Sequence, residues 1–281
     1  MGRRVSFFVL CVGLVVATGL FGAPLGFSLP VRWAFATVLM GVILVAAWKA
    51  GLHLIRTRAG ADGKALAAAA SLISPVALFS LMPGFGPPEF ADHDHNAFRY
   101  VILFVDAVAI FSGTMILQDV LQASGDTLYG RLGFSLIAAA TPLYLVWAAL
   151  LLEFHRAALA GNTWASGPWN NWLMSFSDIL LFFGGLLTYL ATALFALSLR
   201  RAQLLGTGAC VAFLSVSLVL ALCLIFRGVD FPDPSVVFAQ GYGIPGWIAG
   251  IPAAPWLIPC TFGLILLRRI GRDPQRSPYA P

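Results

Sequence analysis

Residues 104–113 read FVDAVAIFSG and place an aspartate inside a long apolar run. Residues 176–185 read FSDILLFFGG and repeat the pattern Phe-x-Asp-x4-Phe-[Ser/Gly]-Gly in a second apolar run. A carboxylate within a membrane helix is energetically costly and marks a functional site by default. Two carboxylates in the same local frame predict an acidic pair within the membrane, Asp106 and Asp178.

The composition is typical of a membrane protein. The chain has 281 residues, of which 59% are hydrophobic and only 10% are charged, whereas a soluble domain carries about 25% charged residues. The apolar residues come in runs of about twenty, the length that crosses a hydrocarbon core. We therefore predict an all-α, polytopic membrane helix bundle that contacts the lipid bilayer. The net charge of +5 does not indicate nucleic-acid binding, because the basic residues form short clusters between the apolar runs.

The apolar runs predict eight transmembrane helices in a single integral membrane domain, residues 1–270, followed by a disordered cytoplasmic tail, residues 271–281. Predicted helices one to eight cover about residues 5–27, 33–55, 65–82, 99–121, 131–154, 173–199, 204–226 and 244–267. The first run also has the basic start and small residues of a cleaved signal peptide. We expect a retained helix instead, because the run is long and no soluble domain follows it.

The lysines and arginines predict the orientation in the membrane. Alternate connectors hold twelve of the seventeen, namely Arg3, Arg4, Arg56, Arg58, Lys64, Arg131, Arg200, Arg201, Arg268, Arg269, Arg272 and Arg276. The remaining connectors hold only Arg32, Arg99, Arg156 and Arg227. Because basic residues concentrate in cytoplasmic loops, we predict a multi-pass protein of the plasma (inner) membrane with both termini in the cytoplasm.

Predicted helices three and four resemble predicted helices five and six. Pro75 and Pro142 each precede, by one outer loop, a helix with the Asp–Gly pattern. Both hairpins have the same orientation, so these features predict a parallel repeat. Coincidence in a low-complexity apolar sequence is the alternative.

Helical spacing predicts which face of the two Asp helices meets the bundle. Asp106 and Gly113 are seven residues apart and so share one helical stripe. The same spacing relates Asp178 to Gly185. Since glycine lets helices approach closely in lipid, we expect both stripes to face the interior of the bundle.

The last predicted helix is interrupted by prolines, each of which removes a backbone donor. The stretch from Pro255 to Arg268 spans about 20 Å of helix, which is too short alone for the bilayer. We therefore predict a kinked, unwound or re-entrant outer half, with a kinked helix repaired by its neighbours as the alternative. Broken helices point to transporter sites, so we expect a cavity lined by Gly113, Gly185, Pro252, Pro255 and Pro259.

A weaker candidate site lies at the predicted outer face. It comprises potential ligands of a divalent metal, His93, His95, Glu153 and His155. Imidazole and carboxylate groups suit zinc and other first-row metals. A solvated turn is the alternative interpretation.

These features favour three functions. The first is a small-solute or cation/proton-coupled transporter with an outward-facing site at Asp106 and Asp178. The second is a non-catalytic membrane scaffold or sensor, in which the aspartates only hydrogen-bond helices together. The third and least favoured is a metal-dependent enzyme of the outer leaflet.

Overall fold

The computed structural model describes residues 28–82, 92–162, 168–227 and 253–272. These residues form seven α-helices and one 3-10 helix, Leu52–Arg56, and no strand occurs among them. The α-helices are α1 (Leu29–Ala50), α2 (Gly60–Phe79), α3 (His93–Ala123), α4 (Tyr129–Leu159), α5 (Pro168–Arg201), α6 (Thr207–Arg227) and α7 (Ala253–Arg272).

Six of these helices, α1 to α6, are long and apolar enough to cross a membrane. The predicted all-α, multi-pass bundle is therefore confirmed, whereas the count of eight spans is not. Predicted helix one lies outside the described residues. The same holds for residues 244–252, where the break in predicted helix eight was expected, and for the predicted tail.

The start of α3 corrects the sequence prediction. The helix begins at His93 rather than near Arg99, so the Asp-His-Asp-His stretch enters a helix and is not a solvated turn. Asp106 consequently lies thirteen residues from the helix start, which is about 20 Å along the helix. The first two turns of α3 are polar, so hydropathy alone placed the start of the helix too late in the sequence.

Helices that follow one another in sequence pack together, and α7 returns to lie against α2. The contact between α2 and α7 is close because Gly263 of α7 has no side chain. A Cβ added at Gly263 of α7 would lie 3.0 Å from the main-chain oxygen of Ala69. The α2 residues that face this position are Ala69, Leu72 and Ile73, all of them buried. α2 thus lies between α3 and α7 at the centre of the bundle.

The outermost helices, α1 and α6, expose large apolar side chains. On α1 the exposed fraction reaches 65% at Val38, and on α6 it reaches 61% at Leu218. Both helices are only 28% buried over their most apolar stretch. Such faces suit contact with lipid acyl chains, which are as apolar as the side chains themselves.

The two ends of the bundle differ in charge. One end, here called the basic end, holds the turns at residues 124–128 and 202–206, the Lys64–Asp119 ion pair and Arg269, whose Nε donates to the Leu204 carbonyl. The opposite end, the histidine end, holds the first turn of α3 and the last turn of α4. This separation agrees with the charge pattern on which the predicted orientation rests, and the orientation itself stays a prediction.

The predicted repeat also stays a prediction, and its two copies differ in their glycine contacts. A Cβ added at Gly113 would lie 2.8 Å from Leu72 of α2, the hairpin partner of α3. A Cβ added at Gly185 would approach Leu224 of α6. A Cβ added at Gly184 would approach Tyr144 of α4, the hairpin partner of α5. The stripe that meets the hairpin partner is thus displaced by one residue in the second copy.

The orientation can be tested by cysteine labelling with a membrane-impermeant maleimide. We expect a cysteine at Asp94, at the histidine end, to react from outside the cell, and one at Thr127, at the basic end, to react only after the membrane is opened. Both side chains are exposed, so access depends on the side of the membrane. Labelling of both positions from outside would contradict the orientation.

The glycine contact between α2 and α7 can be tested by alanine substitution. Gly263→Ala should lower the free energy of unfolding by about 1–3 kcal/mol, because the new methyl group overpacks the contact. The control is Gly41→Ala, since a Cβ there meets no atom within 4 Å and alanine favours a helix over glycine. Thermal unfolding in detergent should separate the two variants, and equal melting temperatures would refute the argument.

Candidate functional site

The most unusual polar group in the described part of the chain is the carboxylate of Asp106. Its residue is completely buried, and neither carboxylate oxygen has a hydrogen-bond partner among the described residues. The buried stripe of α3 places Leu103 above it and Ile110 below it, both apolar. An ionised carboxylate in such surroundings is strongly disfavoured unless it is neutralised. Asp106 therefore has to hold a proton or a cation.

Trp256, in the first turn of α7, packs next to this part of α3. Its indole Nε1 donates a 3.2 Å hydrogen bond to the carbonyl oxygen of Leu103, one turn from Asp106. Its ring meets the ring of Tyr144 edge-on with 4.2 Å between the centroids. The indole is 1% exposed, so α7 is tied to both α3 and α4 at the level of the carboxylate.

A small cavity lies where α3, α4, α5 and α7 meet, and its lining on α3 starts at Ala107, the residue after Asp106. Its lining consists of Ala107, Ile110, Ile137, Ala140, Thr141, Tyr144, Thr188, Pro255 and Trp256. The space open to the centre of a water-sized sphere is about 10 Å³. This leaves room for about one water molecule. Small-molecule sites occupy about 300–1,000 Å³, so in this conformation the cavity suits a water rather than a solute.

The polar groups of the cavity are hydroxyls on α4 and α5. The hydroxyl of Tyr144 lies 3.0 Å from Oγ1 of Thr188, which donates in turn to the Gly184 carbonyl at 2.8 Å. Thr141 donates to the Ile137 carbonyl of its own helix. Each hydroxyl oxygen keeps acceptor capacity for a bound water, so the cavity can hold a water next to the carboxylate helix.

The residues predicted to line a cavity have different positions. Pro255 lines the cavity between α3, α4, α5 and α7. Gly113 and Gly185 occupy helix contacts with α2 and α6. Pro259 is buried within α7. Pro252 lies outside the described residues.

Asp178 lies on α5 and is buried, with 6% of its surface exposed. The glycine seven residues further along its stripe faces α6, whereas the glycine below Asp106 faces α2. The two carboxylates therefore belong to stripes that meet different helices. Their predicted convergence on one site stays a prediction.

A second polar cluster occupies the histidine end. Nδ1 of His93 lies 2.8 Å from Nδ1 of His155, which joins the start of α3 to the end of α4. The ring of His155 stacks on Tyr100 at 5.5 Å and an angle of 13°. Arg99 is 1% exposed and donates a 2.7 Å hydrogen bond to Oδ1 of Asn96.

The four predicted metal ligands are not all brought together. His93 and His155 are in contact, whereas His95 lies 3.7 Å from Asp92 and Glu153 lies 3.8 Å from Arg156. Among the described residues no group of three or more histidines, cysteines and carboxylates could hold a metal ion. The divalent metal stays a prediction without a complete ligand set in this part of the chain.

The sequence reasoning missed Asn96 and Arg99 as members of the α3 stripe. Both were assigned to the outer loop or its border, yet both are buried. The signal was present in the spacing, because Asn96, Arg99, Leu103, Asp106, Ile110 and Gly113 follow one another at alternating intervals of three and four residues. That alternation is the buried stripe of a helix.

The sequence reasoning also missed Asp126, which fixes the basic end of the bundle. Its Oδ2 accepts hydrogen bonds from the Ser198 hydroxyl at 2.5 Å and from the Gly130 N–H at 2.9 Å, and its Oδ1 lies 3.7 Å from Nη1 of Arg201. Burial raises the pKa of this carboxyl, but the bonds from Ser198 and from main-chain N–H groups lower it, and the pKa lies below its ordinary value. Asp126 thus ties the start of α4 to the end of α5.

The fold and its buried polar groups define a multi-pass helical membrane protein with an enclosed carboxylate. No protein-family model, no curated protein and no solved structure matches the chain. The assignment of a function therefore depends on the geometry alone.

The role of Asp126 can be tested with Asp126→Asn. Because the pKa of Asp126 is depressed in the folded state, its stabilisation is present above the ordinary carboxylate range, about pH 4, and is lost as the pH falls through the folded-state pKa. At neutral pH the variant should lose about 2 kcal/mol, the contribution of hydrogen bonds to a charged group. Below about pH 4 the wild type should lose this advantage, as measured by thermal unfolding against pH. A constant difference across that range would contradict the assignment.

Proposed function

We propose that the protein is a transporter in which Asp106 binds the coupling proton or cation during movement of a small solute. The observation that carries this proposal is the complete burial of a carboxylate that has no hydrogen-bond partner among the described residues. A group of this kind is retained at a large energetic cost. Binding and release of a positive charge is a function that requires such a carboxylate.

The absence of a helix-to-helix hydrogen bond at Asp106 favours transport over a scaffold role. In a scaffold the carboxylate would serve to join helices, as the Tyr144 hydroxyl does with Thr188. Within the described residues Asp106 forms no such bond. Its polar group therefore contributes nothing to the packing of these helices, and a polar group without a structural role is expected to have a functional one.

The cavity next to this part of α3, lined by Ala107 and Ile110, supplies the second argument. It gives the carboxylate helix a neighbouring place for one water, bordered by hydroxyls of Tyr144 and Thr188. A water there would connect Asp106 to a polar surface when the helices rearrange. The closed volume fits an occluded state, because transporters enclose their site between changes of access.

The first turn of α7 is the element we expect to move. Pro259 has no N–H to donate to the Pro255 carbonyl four residues earlier, so the helical ladder of this turn is incomplete and the Trp256 indole helps to hold the turn in place. A single side-chain bond to the Leu103 carbonyl can be exchanged at small cost. Displacement of this turn would open the cavity towards the histidine end.

The remaining features of the proposal follow from the sequence. Asp178 is proposed as a second ion-binding carboxylate, and the histidine end is proposed to face outward from the plasma membrane. The proposal includes a small solute and a proton or cation as ligands. It assigns no enzymatic activity.

The proposal can be tested in liposomes that contain the purified protein. We expect wild-type protein to accumulate at least one solute from a mixture of small metabolites under an imposed proton, sodium or potassium gradient, as measured by mass spectrometry. Asp106→Asn keeps the shape of the side chain but cannot ionise, so uptake should fall to the level of protein-free liposomes. The matched control is Asp119→Asn, because Asp119 is half exposed at the end of the same helix and pairs with Lys64.

Two results would contradict the proposal. The first is wild-type liposomes that accumulate no solute under any of the three gradients. The second is an Asp106→Asn variant that unfolds at the wild-type temperature and transports at the wild-type rate. An Asp106→Asn variant that does not fold would be replaced by Asp106→Glu, which retains the charge and should shift the ion dependence of uptake.

A further inference from the structure

The chain folds back on itself where α1 ends, at the basic end of the bundle. α1 stops at Ala50, and Gly51 follows with a φ of 152°, a backbone conformation that residues with a side chain rarely adopt. Through this turn the chain enters the 3-10 helix, Leu52–Arg56. The guanidinium of Arg56 consequently lies over the ring of Trp48, with 5.7 Å between its Cζ and the ring centroid.

The turn is fixed from two sides. The Trp48 carbonyl accepts a hydrogen bond from the Gly51 N–H at 3.3 Å and another from Nδ1 of His53 at 2.8 Å. On the side of α7, a Cβ added at Gly51 would lie 3.9 Å from the main-chain oxygen of Leu267. Trp48 is therefore held in a defined place near the end of α7, which carries the exposed Arg268.

Two cations at this turn have no carboxylate partner among the described residues. They are Lys49 and Arg56, and both side chains are exposed. The carboxylates of the basic end lie near other cations, namely Asp62 near Arg58, Asp119 near Lys64 and Asp126 near Arg201. The turn thus presents positive charge that an anion from outside the chain can meet.

An exposed apolar stripe of α1 leads to these cations. Val38, Val42, Val45 and Lys49 follow one another at intervals of four, three and four residues, so they share one face of the helix. The three valines expose between 42% and 65% of their surface. Trp48 is also exposed, and tryptophan favours the boundary between acyl chains and headgroups. The stripe suits an acyl chain, and the cations at its end suit a headgroup.

We propose that Lys49 and Arg56, arranged around Trp48, bind the phosphate of an anionic phospholipid whose acyl chain lies along the valine stripe of α1. Anionic headgroups attract basic residues that adjoin a membrane helix. A guanidinium presents several N–H donors to phosphate oxygens, and an ammonium adds a compact positive charge. The inference concerns other residues than the Asp106 site and does not rest on transport.

A soluble anion fits this place less well than a phospholipid. Both cations are exposed, and an exposed ion pair on its own contributes little binding energy because water competes for the charges. A phospholipid is already concentrated at this depth of the membrane and also contacts the apolar stripe. The surface therefore favours an anion that carries an acyl chain.

The site can be tested by native mass spectrometry of the purified full-length protein in detergent. Phosphatidylglycerol and phosphatidylcholine with the same acyl chains are titrated separately. We expect the wild type to bind phosphatidylglycerol more tightly, because the phosphatidylcholine headgroup has no net charge. Lys49→Gln combined with Arg56→Gln should weaken phosphatidylglycerol binding on the order of twentyfold, since each basic residue near an anionic headgroup contributes about fivefold.

The matched control is Arg131→Gln. Arg131 is an exposed cation of the same end, but it lies at the start of α4, which packs on α3 and α5. This variant should keep the wild-type preference for phosphatidylglycerol, and all variants should keep the wild-type melting temperature because the replaced side chains are exposed. If the double variant does not fold, each single variant is measured instead and should lose about fivefold.

Four results would overturn the proposal. The wild type could bind the two lipids equally, or the variants at Lys49 and Arg56 could retain the preference. Arg131→Gln could weaken binding as much as the double variant, which would show a general surface charge rather than a site. An excess of inorganic phosphate could displace the lipid, which would show a site for a soluble anion.

Discussion

The structure depends on the burial of one face of α3. This face meets α2, α4 and α7, so each residue on it is removed from lipid and from water. In a bilayer a buried polar group has to find its partner inside the protein. The α3 face nevertheless carries Asn96, Arg99, Asp106 and Thr114 among apolar residues. Its neighbours are arranged around these groups, with aromatic rings at the histidine end and the small cavity at the level of Asp106.

Buried hydroxyls and buried carboxylates obtain their hydrogen-bond partners in different ways. Thr114, Thr141 and Thr188 each donate to a carbonyl four residues earlier in their own helix. A hydroxyl can always do this because it carries its own proton. An ionised carboxylate is only an acceptor, and the N–H groups of a helix interior are already used. For this reason these three threonine hydroxyls are satisfied within their own helices, whereas Asp106 requires a proton, a cation or a water from elsewhere.

Much of the fold could be predicted from the sequence, because run length and hydropathy determine where membrane helices form. The seven-residue interval also predicted that Asp106 and Gly113 lie on one face, and both are buried. The start of α3 could not be predicted in this way, since His93, Asn96 and Arg99 read as loop when each side chain is scored by its average transfer energy. The contacts of Trp256 with Leu103 and of Asp126 with Ser198 join residues far apart in sequence. Such contacts are determined by tertiary packing and cannot be predicted from a local sequence pattern.

The alanine-rich face of α2 has a consequence for how the bundle is held together. Alanine and glycine lose no side-chain rotamer freedom when they are buried, unlike leucine or methionine. At Ala69, Gly113 and Gly263 the contacts of α2 with α3 and α7 therefore add no side-chain entropy cost of their own, although Leu72 and Ile73 also take part in them. Lipid tails supply no hydrophobic force to drive such contacts, so close approach and low entropy cost have to suffice. The contact between α2 and α7 therefore depends on close backbone approach at Gly263, next to bulky buried side chains such as Phe79 and Phe262, which are each 1% exposed.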